Sequence, residues 1–298
     1  MPSTRDLKRR IESVRGTRKI TRAMELVASA KLRRAQEATE SLRPYAQSMR
    51  RLMAQAARQS GSLKGLPLLD ERETTTRAII MVVTGDRGLA GAFNVNVIRR
   101  GLQVGAQLRE AGAEVSYVAV GKKGAGTLRF RGMPVERAFE GISGSATFTD
   151  AEQVAEYLIG EFTGGRADQV VMIYNEFKSV ILQEVAEEQL LPVQRVVIED
   201  DDDNPDTEPT FSKALAFFEP DAKDFLVKLL PTFVNTQIYR ALLESAAAEH
   251  AARRQAMRNA TDNAGTLIDD LTLKMNRARQ SAITQELLEV VAGADALT

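Results

Sequence analysis

The stretch Ala78-Ile79-Ile80-Met81-Val82-Val83 is an unbroken run of six apolar residues. A strand that is covered on both faces has this pattern, because neither of its faces meets water. Outward from it, the sequence predicts further strands at 115–120, 135–139 and 169–174, with helices at 94–111 and 152–162. Weaker strand patterns occur at 180–185 and 215–218, and one of these could run antiparallel. Strands that alternate with helices predict an open, mostly parallel sheet with helices on both faces.

The two ends of the chain have a helical period instead. Residues 3–58 predict one long helix that Gly16 and Pro44 weaken. Its apolar positions recur mainly at intervals of three and four: Leu7, Ile11, Val14, Ile20, Met24, Val27, Ala28, Leu32 and Ala35. Residues 221–291 are helical again, and their inward stripe averages about 3.7 residues per step, close to the period of a straight helix. That stripe is Ile238, Leu242, Ser245, Ala248, Ala252, Ala256, Ala260, Ala264, Leu267, Leu271, Met275, Ala278 and Ala282.

Long helices with narrow apolar seams need a partner helix, because packing rather than propensity stabilises them. The simplest solution is that the two terminal helices pair with each other, antiparallel, since one enters and the other leaves the same middle domain. The predicted fold class is therefore α/β: a long antiparallel coiled coil of the N- and C-terminal helices attached to an open, Rossmann-like domain that binds no nucleotide. The expected domains are 1–60, 77–218 and 221–298, the last of which pairs with the first and, being longer, forms the tip.

The composition excludes several classes of function. The 298 residues carry 40 basic and 40 acidic side chains, so the net charge is zero, but 1–58 is strongly basic and 184–208 strongly acidic. The chain has no cysteine and a single histidine, His250, which excludes disulfides, thiolate metal sites and histidine-rich metal cages. No apolar stretch is long enough to span a bilayer and the start does not resemble a signal peptide, so we expect a soluble protein of the cytosolic side.

The sequence offers little catalytic chemistry. The turn 84–91 follows a strand and precedes a helix, where phosphates often bind, but its glycines lack the G-x-G-x-x-G spacing. Residues 121–127 are basic and glycine-rich, yet they are not a Walker loop. His250 has no triad partner placed by sequence, and the acidic run 199–203 favours a solvated loop. The residues alone favour a non-catalytic mechanical or scaffolding protein, with a nucleotide-binding enzyme and a DNA-binding basic arm as the minor alternatives.

Five stretches of the chain resemble one family. The most specific is Ile20-Thr21-Arg22-Ala23-Met24-Glu25-Leu26-Val27-Ala28-Ser29-Ala30-Lys31-Leu32-Arg33-Arg34-Ala35, which is similar to the gamma subunit of F-type ATP synthases. The other four follow in the order of that family, at 43–46, 84–94, 260–265 and 278–287. The resemblance covers essentially the whole chain.

This resemblance implies a rotor. In the family, the two terminal helices form a shaft inside a hexamer of three alpha and three beta subunits, and the α/β domain sits with the epsilon subunit on the membrane c-ring. The catalytic sites lie on the beta subunits, so this chain would hold no catalytic residue, cofactor or metal and would bind no nucleic acid. The proton-driven ring would turn the shaft, peripheral to the cytoplasmic face of a bacterial plasma membrane. A static coiled-coil scaffold and a nucleotide-dependent enzyme are the alternatives.

The resemblance also assigns partner-binding residues. Positions that contact beta subunits in the family are matched by Met24, Arg279, Gln280 and Thr284, and the foot that touches the c-ring is matched by Phe218 and Glu219. The basic first helix suits acidic loops on the beta subunits by charge complementarity. Photosynthetic members are regulated through an inserted cysteine pair, which this sequence lacks.

Overall fold

The computed structural model describes residues 3–59, 65–70, 72, 74–180, 182–194 and 222–295. Five helices and five strands lie in these ranges. In chain order they are α1 Thr4–Gln59, β1 Arg77–Val83, α2 Phe93–Glu110, β2 Glu114–Val120, α3 Lys122–Phe130, β3 Val135–Phe139, α4 Phe148–Thr163, β4 Gln169–Phe177, β5 Gln183–Leu191 and α5 Ala222–Asp295. The chain divides into two compact units, one formed by Met1–Ser29 with Arg253–Thr298 and the other by Ala30–Ala252. We call the first the helix-pair unit and the second the α/β unit.

The sheet of the α/β unit has the strand order β3-β2-β1-β4-β5. Strand β1 lies at its centre and runs parallel to both β2 and β4, so that Val82 stands opposite Ala119 on one side and Ile173 on the other. Strand β3 is parallel to β2, whereas β5 is antiparallel to β4. The predicted open, mostly parallel sheet is confirmed, including one antiparallel strand. The weak strand predicted at 215–218 lies outside the described residues.

Alternate residues of β1 enter two different cores, which explains its unbroken apolar run. Ile79, Met81 and Val83 pack into a large cluster with residues of α1, α4 and α5. Ile80 and Val82 pack into a second cluster on the opposite face, with residues of α2 and α3. Because both faces of the central strand are covered, every side chain from residue 78 to 83 is buried.

Helix α3 was not predicted, since the sequence showed 121–127 only as a basic, glycine-rich segment. The glycines have a packing role here. A Cβ on Gly124 would lie 2.6 Å from the Thr84 hydroxyl oxygen, so only glycine lets the helix come this close to the end of β1. Gly121, the residue before the helix, has a φ of +90°, a conformation that favours glycine.

In the helix-pair unit, α1 and α5 run antiparallel. Leu7 and Ile11 near the start of α1 pack against Ile268 and Leu271. Further along α1, the hydroxyl oxygen of Thr21 lies 2.7 Å from that of Thr261. Residue numbers rise along one helix where they fall along the other, which confirms the predicted antiparallel pairing.

The spacing of the seam differs from the prediction. On the α5 side the seam residues are Met257, Thr261, Ala264, Ile268, Leu271, Met275 and Ala278, which alternate steps of four and three. The predicted stripe instead included Leu267, which is 42% exposed. A strict 3.5-residue repeat is the pattern of a left-handed coiled coil, so the straight-helix period of about 3.7 residues was wrong for this part of α5.

Candidate functional site

An exposed apolar strip runs along α1 in the helix-pair unit. Ile20 and Val27 are 62% and 57% exposed, and Met24 between them is half-buried. These residues are spaced by four and three, so they share one face of the helix. The prediction that Ile20, Met24 and Val27 belong to the inward seam was therefore wrong for its two ends. Apolar side chains gathered on a helix surface are typical of a site that contacts another protein.

Polar residues occupy the seam in their place. Thr21 and Glu25 are buried, and together with Ala28, which was correctly predicted to face inward, they continue the four-three count that begins at Leu7 and Ile11. Counting strictly in heptads from the start of α1 would have placed them correctly. Ile20 and Val27 were predicted to face inward because they are more apolar than Thr21 and Glu25, which actually do.

The polar seam residues have partners within the unit. The Thr21 and Thr261 hydroxyls contact each other at 2.7 Å. The Glu25 carboxylate accepts a hydrogen bond from the Arg22 guanidinium at 2.9 Å, and the carboxylate end of this ion pair is the more buried. Because a buried polar group is costly only when it lacks a partner, the seam tolerates these residues.

The last part of α5 is exposed on all sides. Arg279, Gln280 and Thr284 are exposed, and the Thr284 hydroxyl donates to the Gln280 carbonyl at 3.0 Å. Every side chain from 279 to 290 is exposed in the described structure. Several of them are large and apolar, namely Ile283, Leu287, Leu288 and Val290. A helix end with this composition has the character of an interaction surface.

The predicted site residues do not form one cluster. Met24 lies three residues after Thr21, which pairs with Thr261. Gln280 is 19 residues further along α5, or about 28 Å at 1.5 Å per residue. Met24 and the trio Arg279, Gln280 and Thr284 therefore belong to separate levels of the same unit. The predicted foot residues Phe218 and Glu219 lie outside the described residues.

The turn after β1 is organised by one carboxylate. Asp86 accepts hydrogen bonds at 3.0 Å from the backbone N–H groups of Lys122 and Gly141 and from the Ser143 hydroxyl. Burial alone would raise the pKa of Asp86, but these hydrogen bonds outweigh it and hold that pKa below its ordinary value. Lys122 is the first residue of α3, so an internal carboxylate already occupies the helix N-terminus that could otherwise attract a phosphate.

Helix α5 covers the same turn within the α/β unit. Ala90 and Phe93 pack against Ala248. A Cβ on Gly85 would lie 3.0 Å from the carboxylate of Glu249. The space over the first strand-to-helix turn, where an open α/β sheet would bind a nucleotide, is thus taken by protein. This arrangement favours a structural turn over the nucleotide-binding alternative.

The described residues lack two further features. Across the residues that the structure describes, no three His, Asp or Glu side chains gather in a way that could hold a metal ion. None of the described helices is both long and apolar enough to cross a membrane.

The chain matches known proteins from end to end. The family described as ATP synthase matches residues 3–297. A protein of Pelotomaculum thermopropionicum named ATP synthase gamma chain is 42% identical over 297 residues, which cover 100% of both chains. The chain belongs to the ATP synthase gamma chain family. Another gamma chain, from Anaeromyxobacter dehalogenans, is 43% identical over 301 residues and is also covered completely.

Solved ATP synthase structures share the fold of this family member. A Euglena gracilis mitochondrial structure of OSCP, F1 and c-ring contains a chain with a TM-score of 0.66 and 19% identity, covering 99% of this chain and 94% of that one. A Tetrahymena thermophila mitochondrial structure of central stalk and c-ring contains a chain with a TM-score of 0.59 and 24% identity. The match covers 81% of this chain and 99% of that one. The predicted fold class, two long terminal helices with an α/β sheet between them in sequence, is confirmed.

Proposed function

We propose that this chain is the central rotor of a proton-translocating F-type ATP synthase and that it catalyses no reaction itself. Its relatives over the full length are named ATP synthase gamma chains. The observation that carries the proposal is the end of α5, where residues 279–290 are exposed and rich in large apolar side chains. Such a surface is unfavourable in water, so it is suited to a surrounding protein sleeve.

The proposed partners follow the predicted domains, whose bounds differ from those of the two compact units. The shaft, formed by 1–60 and 221–298, turns inside the alpha and beta subunits, and Met24, Arg279, Gln280 and Thr284 contact beta subunits. The head, 77–218, binds the epsilon subunit and sits on the c-ring through Phe218 and Glu219. The assembly is peripheral to the cytoplasmic face of a bacterial plasma membrane, and this chain needs no cofactor or nucleic acid.

The rotor acts by differential binding. The shaft has different surfaces around its circumference, because the apolar strip of Ile20, Met24 and Val27 occupies only one side of α1. Each beta subunit then meets a different surface at any moment. A contact that stabilises one conformation of a catalytic site more than another shifts that site toward it, so rotation changes the sites in sequence.

Covalent locking of the shaft tests this function. The chain has no cysteine, so Gln280→Cys introduces a single thiol, which we would label with a photo-crosslinker before assembly with the other subunits. Light should join the shaft to a beta subunit and abolish sustained ATP hydrolysis in the linked fraction. Ser145→Cys, an exposed position of the α/β unit, is the control for the reagent. A static scaffold would continue to turn over after the cross-link forms, and that result would contradict the proposal.

A further inference from the structure

Three helices of the α/β unit end where the parallel strands begin. Helix α2 leads into β2, α3 into β3 and α4 into β4, each through a short turn. Because these three strands and β1 run in the same direction, the three turns lie at one end of the sheet. We call this end of the α/β unit the strand-start face.

The most exposed large apolar side chain of the described residues lies on this face. Phe130, the last residue of α3, is 91% exposed, and the arginines beside it, Arg129 and Arg131, are exposed as well. Arg109, near the end of α2, contacts the same turn, because its guanidinium donates to the Met133 sulfur at 3.8 Å. We call Arg109, Arg129, Phe130 and Arg131 the basic aromatic patch.

The turn after α3 holds this patch in place. The backbone N–H of Arg131 donates to the Thr127 carbonyl at 3.1 Å, and the N–H of Met133 donates to the Leu128 carbonyl at 3.0 Å. The Leu128 side chain is completely buried in the core between α3 and the sheet. The exposed ring of Phe130 therefore belongs to an anchored helix end.

Helix stability explains the arginines of this face but not the phenylalanine. A cation near the C-terminus of a helix interacts favourably with the helix dipole. Arg166, just after α4, is placed in this way and also pairs with Glu161 at 2.7 Å. An apolar ring in water has no comparable gain. The segments 107–113 and 127–134 contain three arginines and one carboxylate, that of Glu110, so the exposed ring lies in positively charged surroundings.

Helix α5 begins at the same end of the unit. Arg240 of α5 donates to the Tyr174 hydroxyl of β4, and Ala247 belongs to a cluster against which Phe177, later on β4, packs. Helix α5 therefore runs in the direction of β4. Its first residue, Ala222, lies about 27 Å before Arg240, whereas β4 begins only about 17 Å before Tyr174. The start of α5 thus lies at or beyond the strand-start face.

The predicted foot gives this face an orientation. Phe218 and Glu219 precede the first residue of α5 by four and three positions, so they lie within about 14 Å of it. In the proposed rotor the foot rests on the c-ring, and the strand-start face is then directed toward the membrane. Helix α3 packs over β2 and β3, whereas α5 contacts β4 and β5, so the patch stands about 10 Å or more to one side of α5.

We propose that the basic aromatic patch binds the anionic lipid headgroups of the membrane beside the c-ring. This inference rests on the proposed function, which supplies the orientation. Guanidinium groups pair with phosphates, and a phenylalanine ring is favourable at the boundary between headgroups and acyl chains. A protein partner fits this composition less well, because the centres of protein interfaces collect several apolar side chains and few charges.

The test measures how the assembled complex of alpha, beta and epsilon subunits with this chain binds lipid vesicles. In that complex the basic α1 is enclosed, so it does not bind lipid itself. Vesicles of phosphatidylglycerol and phosphatidylcholine should bind the complex, less so at high salt, and vesicles of phosphatidylcholine alone should not. Arg129→Gln with Arg131→Gln should weaken binding roughly thirtyfold, since each cation near an anionic leaflet contributes roughly fivefold. Phe130→Ser should weaken it roughly tenfold.

Helix α3 offers a matched control. Lys122 and Lys123 are exposed at its other end, and Lys122→Gln with Lys123→Gln removes the same charge from the same helix. This pair should leave vesicle binding almost unchanged. Arg129→Lys with Arg131→Lys keeps the charge and should retain most of the binding. Equal losses for the two glutamine pairs would mean that only net charge matters, and they would overturn the inference.

Other results separate the inference from the function on which it rests. An assembled complex that does not bind phosphatidylglycerol vesicles overturns the role of the patch and leaves the rotor function intact. The same holds if Phe130→Ser loses the epsilon subunit, or binding to a purified c-ring in detergent, while vesicle binding is unchanged, because the patch would then contact protein. If the unaltered chain does not assemble with alpha and beta subunits, the rotor function itself is contradicted.

Discussion

In the α/β unit every residue of β1 after Arg77 is buried, whereas in the helix-pair unit at most one side of each helix is buried. The first region is stabilised by two cores on opposite faces of a sheet. The second has a single row of seam residues, among them Leu7, Ile11 and the polar Thr21. The difference teaches that one chain can combine a thick, rigid body with a thin pair of helices whose outer surfaces stay free to contact partners.

Leu-to-Ala substitutions in the two regions should show this difference most strongly. Leu158→Ala, in the fully buried core of the α/β unit, should cost roughly 4 kcal/mol because a rigid core leaves a cavity. Leu271→Ala, in the seam of the helix pair, should cost about 2 kcal/mol because the thin seam can close over the gap. All five tyrosines lie in the α/β unit, so urea unfolding followed by tyrosine fluorescence reports that unit, and far-ultraviolet circular dichroism reports both. Equal losses of unfolding free energy in the two variants would contradict this difference between the two units.

Replacing one glycine by alanine in each unit gives a second comparison, because the same methyl group is added at both sites. Gly105 lies in α2, and a Cβ there would overlap the Tyr117 hydroxyl oxygen, so Gly105→Ala should cost about 1–3 kcal/mol by overpacking. Gly16 lies in α1 with nothing within 4 Å of the added atom, so Gly16→Ala should stabilise the helix by about 1 kcal/mol. Thermal unfolding followed by circular dichroism measures both. A loss of stability for Gly16→Ala would contradict the exposed placement of that face.

One pH dependence is expected in the α/β unit. Asp168 accepts hydrogen bonds from the Thr76 hydroxyl and from the backbone N–H groups of Thr76 and Arg77, and it pairs with Arg72 at 2.8 Å. Burial alone would raise the pKa of Asp168, but these contacts lower it below its ordinary value.

A lowered pKa in the folded state means that Asp168 contributes stability at neutral pH and loses it as the pH falls through that pKa. Asp168→Asn should therefore cost about 1–3 kcal/mol at pH 7 and progressively less below about pH 4. Urea unfolding at several pH values measures the difference. A cost that does not change with pH would show that the charge of Asp168 is not what stabilises the segment before β1.

The smallest expected effect lies in the seam of the helix pair. Thr261→Val removes one member of the buried hydroxyl pair with Thr21 and should cost about 1 kcal/mol. The double variant Thr21→Val with Thr261→Val should recover most of that loss, because two apolar groups can then face each other. The free energies of helix unfolding of the unaltered chain, the two single variants and the double variant give the coupling energy between the two hydroxyls. Strictly additive losses would mean that the two hydroxyls do not interact.

Much of the fold was predictable because its signals are local. The apolar run of β1 identified the sheet, and the long helical period at both ends identified α1 and α5. Helix α3 was not predicted because glycine is a poor helix former, although Gly124 permits a close contact with Thr84 that only the folded structure reveals. Strand β5 gave only a weak signal, because most of its side chains are half-buried or exposed.

The candidate site was less predictable than the fold. Ile20 and Val27 look like core residues in the sequence, and the structure exposes them, because the heptad count places Thr21 and Glu25 inward instead. In a sequence, a helix surface that binds a partner protein has the same apolar pattern as a surface buried in the protein's own core. Outside the candidate site, the hydrogen bonds from Arg240 of α5 to Glu188 and Tyr174 left no local signal either, since these partners lie on strands that are 52 and 66 residues away in the chain.

Direct observation of rotation tests the central claim. The catalytic complex is fixed to a surface through another subunit, and a light-scattering particle is attached to the thiol introduced by Ser145→Cys, the only thiol of this chain. The account predicts that ATP drives continuous rotation of the particle in one direction. A particle that stays fixed relative to the hexamer while ATP is hydrolysed at the full rate would contradict it.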